Sequence, residues 1–455
     1  MTEESKKEIP DLSSKVGQEE KLGFMPWVVA LILLFSSLLL FIGGIFYHHA
    51  NVWVGLFPGI ILGTMLEMWN FADPDVVIKA VAWKDRLLLI CFGLVVGIAI
   101  FLLYTLNMLG VHLNWGFKDL YFWGIIIGGI FFGIGVAVAG YFPGTIWIAL
   151  GQGRREAWWA LGGGLLGALL WSLIYGPLSG ALVKAANYGP VSLAFAIANG
   201  NAIGAWFVGI LFAAAFIGMW VFIPRFPQGK TGCGWHILGR TKPDEQLHSP
   251  WTDEYIQRYP KMRKWVMPVA ESSTVDASRI VLILAFAFAI TTTAVIMLRQ
   301  IFGESTTFSW LGGLFIYAFW PKAIPNLPYL SNLLPIHNGT LDVLGKIGWE
   351  PISDIGTFLG GLISSVLLTR RWMGYKKDIP PVWKRRFGTS QSKRNWAAFW
   401  GAFLVLFGAR MAGGCASGHI LSGSSQLAAS GLLFGAIVLT TAYLMTHFIY
   451  GKALD

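Results

Sequence analysis

The side chains of this chain best suited to chemistry are gathered in Gly408-Ala409-Arg410-Met411-Ala412-Gly413-Gly414-Cys415-Ala416-Ser417-Gly418-His419. A guanidinium, a thiol, a hydroxyl and an imidazole sit among four glycines, with long apolar runs close on either side. Glycine at this density loosens regular helix, and irregular backbone survives at membrane depth only where it lines a cavity or is buried in protein. An ionisable side chain beside it marks a functional site. A second glycine-rich stretch, Ala139-Gly140-Tyr141-Phe142-Pro143-Gly144-Thr145, has the same plan. Helices starting after Gly144 and Gly418 would each present free backbone N–H groups, which attract anions. Thr145, Ser417, His419, Ser422, Ser424 and Ser425 add hydrogen-bonding groups, and Arg410 a full charge. Together these point to an anion pathway, in which the Cys415 thiol, favoured as thiolate by a nearby cation, suits a sulfur-bearing ligand. Simpler roles compete with this reading. Gly414-x-x-x-Gly418 is also a helix-packing motif. Arg410 could pair with Glu67 or Asp354, or bond carbonyls, and the serines could bond back to their own helices. Cys415 could be a small hydrophobe.

The elements that must position these residues follow from composition. Of 455 residues 55% are hydrophobic and only 13% charged, about half the charge fraction of soluble domains. The expected class is an all-α polytopic membrane protein, and the net charge of +10 reflects basic loops rather than nucleic-acid binding. Three cysteines (Cys91, Cys233, Cys415) give no disulfide framework, and no metal or cofactor is expected. Cys91 lies in a plain apolar run, and Cys233-Gly-Trp-His236 is half a metal site at best. The polar stretch Met1 to Leu22 lacks a cationic signal-peptide start, so the first apolar run reads as a retained helix.

A window of some 20 apolar residues gives ten expected spans: 26–47, 52–68, 87–108, 121–140, 157–178, 204–224, 280–301, 353–371, 396–413 and 429–450. The loop from Arg225 to Arg279 holds nine Lys/Arg against six Asp/Glu, and that from Arg370 to Arg394 nine against one. With ten spans these loops, Arg154-Arg155, and Lys79, Lys84 and Arg86 all fall on one side, which the positive-inside rule makes cytoplasmic, with both termini. Residues 304–350 become a long outer segment whose apolar piece, Phe308 to Trp320, is too short to cross. His48 and His49 read as interfacial anchors, Trp69-Asn70-Phe71 with Asp73 and Asp75 as a polar break, and Asn338-Gly-Thr340 as a sequon of little weight. No acidic residue stands out at mid-membrane for proton coupling; Glu67 and Asp354 lie near span ends. The organisation expected is a tail (1–24), an extra helix (25–51), repeat A (52–186), a linker helix (187–224), a basic loop (225–279) and repeat B (280–455). One helix between two four-helix blocks forces the second upside down, and such inverted repeats place a substrate site at their broken helices.

From Gly408 to His419, continued by Ile420-Leu421-Ser422-Gly423, the chain closely resembles the YeeE/YedE family of sulfur-compound transporters. Ala139 to Thr145 looks like the family's first-half copy of the motif, and Trp69-Asn70-Phe71-Ala72 falls where the family has an Arg-Phe-Cys-type segment. The resemblance spans roughly residues 52–450. It implies inverted repeats in an hourglass, uptake of thiosulfate or a related sulfur anion, and a relay of cysteine thiols. It also implies a TusA-like sulfur carrier or redox partner on the cytoplasmic side of the inner membrane. Only Cys415 matches a motif cysteine; Phe142 (or Tyr141) and Ala72 stand where the other two are expected. The expected function is transport of a small sulfur-containing anion, not catalysis, along Gly140, Phe142, Gly144, Thr145, Arg410, Gly414, Cys415, Ser417, Gly418 and His419. The rival from another class is a non-transporting membrane anchor of a sulfur-redox complex, its basic loops docking an acidic partner. A haem-bearing version is disfavoured, since only His419 and His447 lie in membrane-type segments.

Overall fold

The structure, a computed structural model, describes residues 24–47, 50–237, 251–263, 275–299, 302–334, 336–337, 340–341 and 348–454. Runs of Leu, Ile, Phe and Ala become helices because a helix satisfies its own backbone where water is absent. They are α1 (Phe24–Phe46), α2 (Leu56–Met68), α3 (Pro74–Val81), α4 (Leu87–Met108), α5 (Phe122–Ala139), α6 (Pro143–Gly151), α7 (Glu156–Ser179), α8 (Ala202–Phe222), α9 (Val275–Leu298), α10 (Thr306–Phe319), α11 (Trp349–Ile363), α12 (Gln391–Met411) and α13 (Ala429–Tyr450). Short helices and two small two-stranded ladders fill the connections. Among the described residues eight helical stretches are long and apolar enough to cross a membrane. The other two expected spans are the shorter Val52–Met68 and α12, which carries Lys393, Arg394 and Arg410. The protein is an all-α, multi-pass membrane protein. His48, His49, Asn338 and the tail 1–23 lie outside the described residues.

The packing repeats itself. α2 lies on α11 as α9 lies on α4; α7 lies on α12 as α13 lies on α5; α10 lies on α7 as α3 lies on α13. Exchanging α2 with α9, α4 with α11, α5 with α12 and α7 with α13 therefore maps one set of neighbours onto the other, with α5 against α12 at the centre. That central crossing depends on a pair of glycines. A Cβ on Gly128 would stand 2.5 Å from the Gly408 carbonyl oxygen, and one on Gly408 2.3 Å from that of Gly128. The backbones touch directly, as small residues permit in membranes. α1 and α8 are peripheral, on α9 and α4.

Four loops meet at one end. Asp73 caps α3, accepting from the Asp75 N–H at 3.0 Å, and is ion-paired to Arg154 at 3.0 Å and Arg258 at 2.8 Å. Arg154 and Arg258 both reach Asp378. The connections after α2 and α6, the basic loop before α9 and the connection after α11 are thus tied on the same side, as the parity of spans requires.

Candidate functional site

Both glycine-rich breaks are real and face one cavity of about 200 Å³. α5 ends at Gly140, which takes φ +72° and leaves no room for a side chain: its Cβ would lie 2.6 Å from that of Pro74. Gly140 is therefore a packing and turning residue, not a pathway surface. Phe142 is extended, and Pro143 opens α6 at the position where a missing N–H costs nothing. In the second break α12 ends at Met411, and Ser417–Gly423 forms a π-type turn before α13. Phe142, Pro143 and Thr145 line the cavity from the first break, and Ala416, Ser417, Ile420 and Ser424 from the second.

The thiol sits at this junction. Cys415 is 1% exposed, with its Sγ 3.0 Å from the Ser417 hydroxyl. Thr145 serves its own helix: its hydroxyl accepts from the Phe142 N–H at 2.9 Å and lies 3.1 Å from the Phe142 carbonyl oxygen. Gly414 makes room for the His419 ring, which a Cβ there would approach to 2.9 Å, while Gly418 has nothing within 4 Å of its side-chain position. Neither acts as a close helix contact; Gly408 does. His419 bonds the Ala412 carbonyl through Nε2 at 3.0 Å and packs its ring on Phe434. Of the serines, Ser422 lies 3.1 Å from the Phe302 N–H and Ser424 3.4 Å from the His419 carbonyl.

The two positions where thiols were expected are apolar. Phe142 faces the cavity, whereas Tyr141 is turned to Glu156, donating its hydroxyl at 2.9 Å. Phe142 stacks on Phe71 with centroids 5.3 Å apart, and Phe71 on Phe92 at 5.0 Å. Ala72 is buried behind them. Aromatic rings line the cavity where a relay would continue.

Arg410 does not pair with Glu67 or Asp354. Glu67 is committed to Arg371 at 3.1 Å and to the hydroxyls of Ser364 and Thr369. Arg410 instead donates to Tyr329, to Ser305 at 2.8 Å and to Thr306 at 3.2 Å, all neutral oxygens. It lines a second, polar cavity of about 360 Å³ with Lys118, Asp119, Tyr121 and Tyr175. Residues 410–413 border this vestibule and 416–417 the inner cavity, so Cys415 lies between the two along the chain.

The basic end is electrostatically closed. Burial alone would raise the Asp73 carboxyl, but Arg154 and Arg258 outweigh it and hold it well below the usual carboxylate range. Asp378, also desolvated, is lowered by Arg258. Cys91 and Cys233 are buried elsewhere. Among the described residues no group of three or more His, Cys, Asp and Glu is placed to hold a metal ion.

Sequence reasoning missed Tyr329, Ser305, Thr306 and Glu304. The first three hold Arg410. Glu304, assigned above to the outer segment, is 5% exposed and reaches the start of α6, where a Cβ on Gly144 would lie 1.9 Å from its Oε2. The Glu304 carboxyl group therefore packs against the first turn of α6. A lone acid in Phe302-Gly303-Glu304, directly after a span, was the available signal.

A search of curated proteins gives no match for this chain. A family profile described as Sulphur transport matches residues 70–444.

Proposed function

From the premise that the chain belongs to the Sulphur transport (YeeE/YedE) family, we propose that it carries a small sulfur oxyanion, thiosulfate or sulfite, across the inner membrane, with its basic end in the cytoplasm. The observation that supports this most is the convergence of the two helix breaks on one cavity, with Ser417 at its wall and the Cys415 thiol 3.0 Å from the Ser417 hydroxyl. Thiol and hydroxyl are both hydrogen-bond donors, suited to an anion stripped of water. The anion gathers in the vestibule, drawn by Arg410 and Lys118, and passes Cys415 into the inner cavity. Movement of the Phe71 and Phe142 rings then opens the way to the basic end. Because the two further thiols are replaced by Ala72 and Phe142, the passage rests on one sulfur contact and aromatic gating, not on a three-thiol relay. Uptake of sulfur-35 thiosulfate and sulfite into proteoliposomes, with Cys415→Ala and Arg410→Ala alongside, tests the reading. Wild-type uptake equal to that of protein-free vesicles for both anions removes it.

A further inference from the structure

The first turn of α6 at Gly144 is covered by a carboxyl group, and it belongs to the protein. α6 runs nine residues, long enough to direct a positive end at whatever faces its first turn. What faces it is the Glu304 carboxyl group, both of whose oxygens lie within 2.1 Å of the place a Gly144 side chain would fill. Glu304 Oε1 has no hydrogen-bond partner, and Glu304 has no ion-pair partner among the described residues. The carboxyl also borders the cavity that Thr145 and Ser417 line. Its backbone is pinned on both sides. Phe302 N–H bonds Ser422, Thr306 N–H bonds Glu350 at 2.8 Å, and Ser305 bonds Arg410. The side chain is thus aimed into the cavity by a fixed loop while its own head group is under-bonded.

We infer that the Glu304 carboxylate is a tethered occupant of the anion site at the start of α6, and that substrate displaces it only when Glu304 takes up a proton, so that each anion is carried with one proton. The inference rests on the transport reading above and adds its coupling ion. The physical reason is exclusion followed by desolvation. Two anions cannot share one helix start, and a carboxylate pushed from it enters a largely apolar cavity in which Arg86, at the start of α4, is the one cation among the lining residues. The groups facing Glu304 reinforce this. Ser417 offers a hydroxyl, but α11 brings Glu350 and, beyond it, Asp354, both of which disfavour a second negative charge. Arg410 on α12 is engaged with Tyr329, Ser305 and Thr306, His419 with Ala412, and α6 contributes only Thr145. The balance is simple. A proton from the vestibule side converts the carboxylate to the neutral acid as the anion takes the site. The same proton leaves on the basic side as the anion departs and the carboxylate returns.

The test uses the full chain in proteoliposomes loaded with a pH-reporting dye, with labelled thiosulfate or sulfite outside and protein-free vesicles as the blank; protons are counted with thiosulfate, which, unlike sulfite, binds none near neutral pH. Wild-type vesicles should acidify in step with label uptake, at about one proton per anion, and uptake should quicken as the outer pH falls. Glu304→Gln should carry label without protein-dependent acidification and without that pH response. Wild-type uptake with no proton movement, or acidification that persists in Glu304→Gln, overturns the inference while leaving transport intact. Absence of label uptake by wild type overturns the transport reading, and the inference with it. Since the wild-type measurement decides by itself, a Glu304→Gln protein that fails to fold does not shelter the idea.

Discussion

Asp73→Asn separates the charge of the basic end from its geometry. Asparagine has the same shape and can still accept the Asp75 N–H, so the cap on α3 survives. What is lost is the negative charge between Arg154 and Arg258, both almost fully buried, at 3.0 and 2.8 Å. Removing one partner of a buried ion pair costs about 3–5 kcal/mol, because the other charge is left uncompensated. Asp378 still reaches both arginines and is partly exposed, so the lower end, about 3 kcal/mol, is expected. Asp73→Ala also removes the cap and should cost about 1 kcal/mol more. In detergent the asparagine variant should lose on the order of 3 °C in unfolding midpoint. The double variant Asp73→Asn/Arg258→Met should recover most of that loss, since it removes one of the stranded charges. A midpoint for Asp73→Asn equal to wild type, or a double variant worse than the single, refutes the view that this cluster ties the four loops by charge.

Cys415→Ala should lower anion uptake by about 10–100-fold, the worth of one hydrogen bond to a charged group, with little change in unfolding midpoint; uptake at the wild-type rate sets the thiol aside. Arg410→Ala should raise the KM for anion more than it lowers the maximal rate, and Arg410→Lys should rescue it only partly, because an ammonium cannot span Tyr329 and Ser305 as the guanidinium fork does. The depressed carboxyls of Asp73 and Asp378 make the basic end sensitive to acid. A lowered folded-state pKa contributes stability above about pH 4, lost as pH falls from there through the folded-state values. The unfolding midpoint should therefore hold from pH 7 to about 5 and drop below 4, and the drop should be smaller in Asp73→Asn.

Much of this architecture is legible in the chain because lipid imposes it. Apolar runs of fixed length, glycine-rich interruptions at 140–144 and 413–418, and the parity of four basic loops all follow from the bilayer as solvent. Individual partners are not legible, since they join residues far apart in sequence. Nothing near Arg410 announces Tyr329, and nothing near Phe142 announces Phe71. Asp73-Pro74 did carry a signal, an N-cap followed by proline in the first turn, but the eight-residue α3 is too short for apolar periodicity to reveal. Glu304 was misplaced for a different reason. The segment from 304 to 350 mixes apolar and polar residues without a spanning period, and length alone assigns it to the outside. Its first residues instead fold back to the helix starts, held there by Ser422 and Arg410.

On the proposed transport reading, the charges at the two ends of the path differ in how they are answered. At the basic end Arg154 and Arg258 are answered by Asp73 and Asp378, and Arg394 by Glu156, whereas Arg86 lines the inner cavity itself. In the vestibule the wall holds Lys118, Arg410 and Asp119, and Glu350 lies close enough to act on both cations. Arg410 is held there by hydroxyls, which fix its orientation without neutralising it. On the proposed reading an anion meets Arg410 and Lys118 here, in the space whose wall continues along the chain to Cys415. On the same reading Arg86 then gives the inner cavity a cation of its own, so that attraction continues past Cys415 towards the basic end.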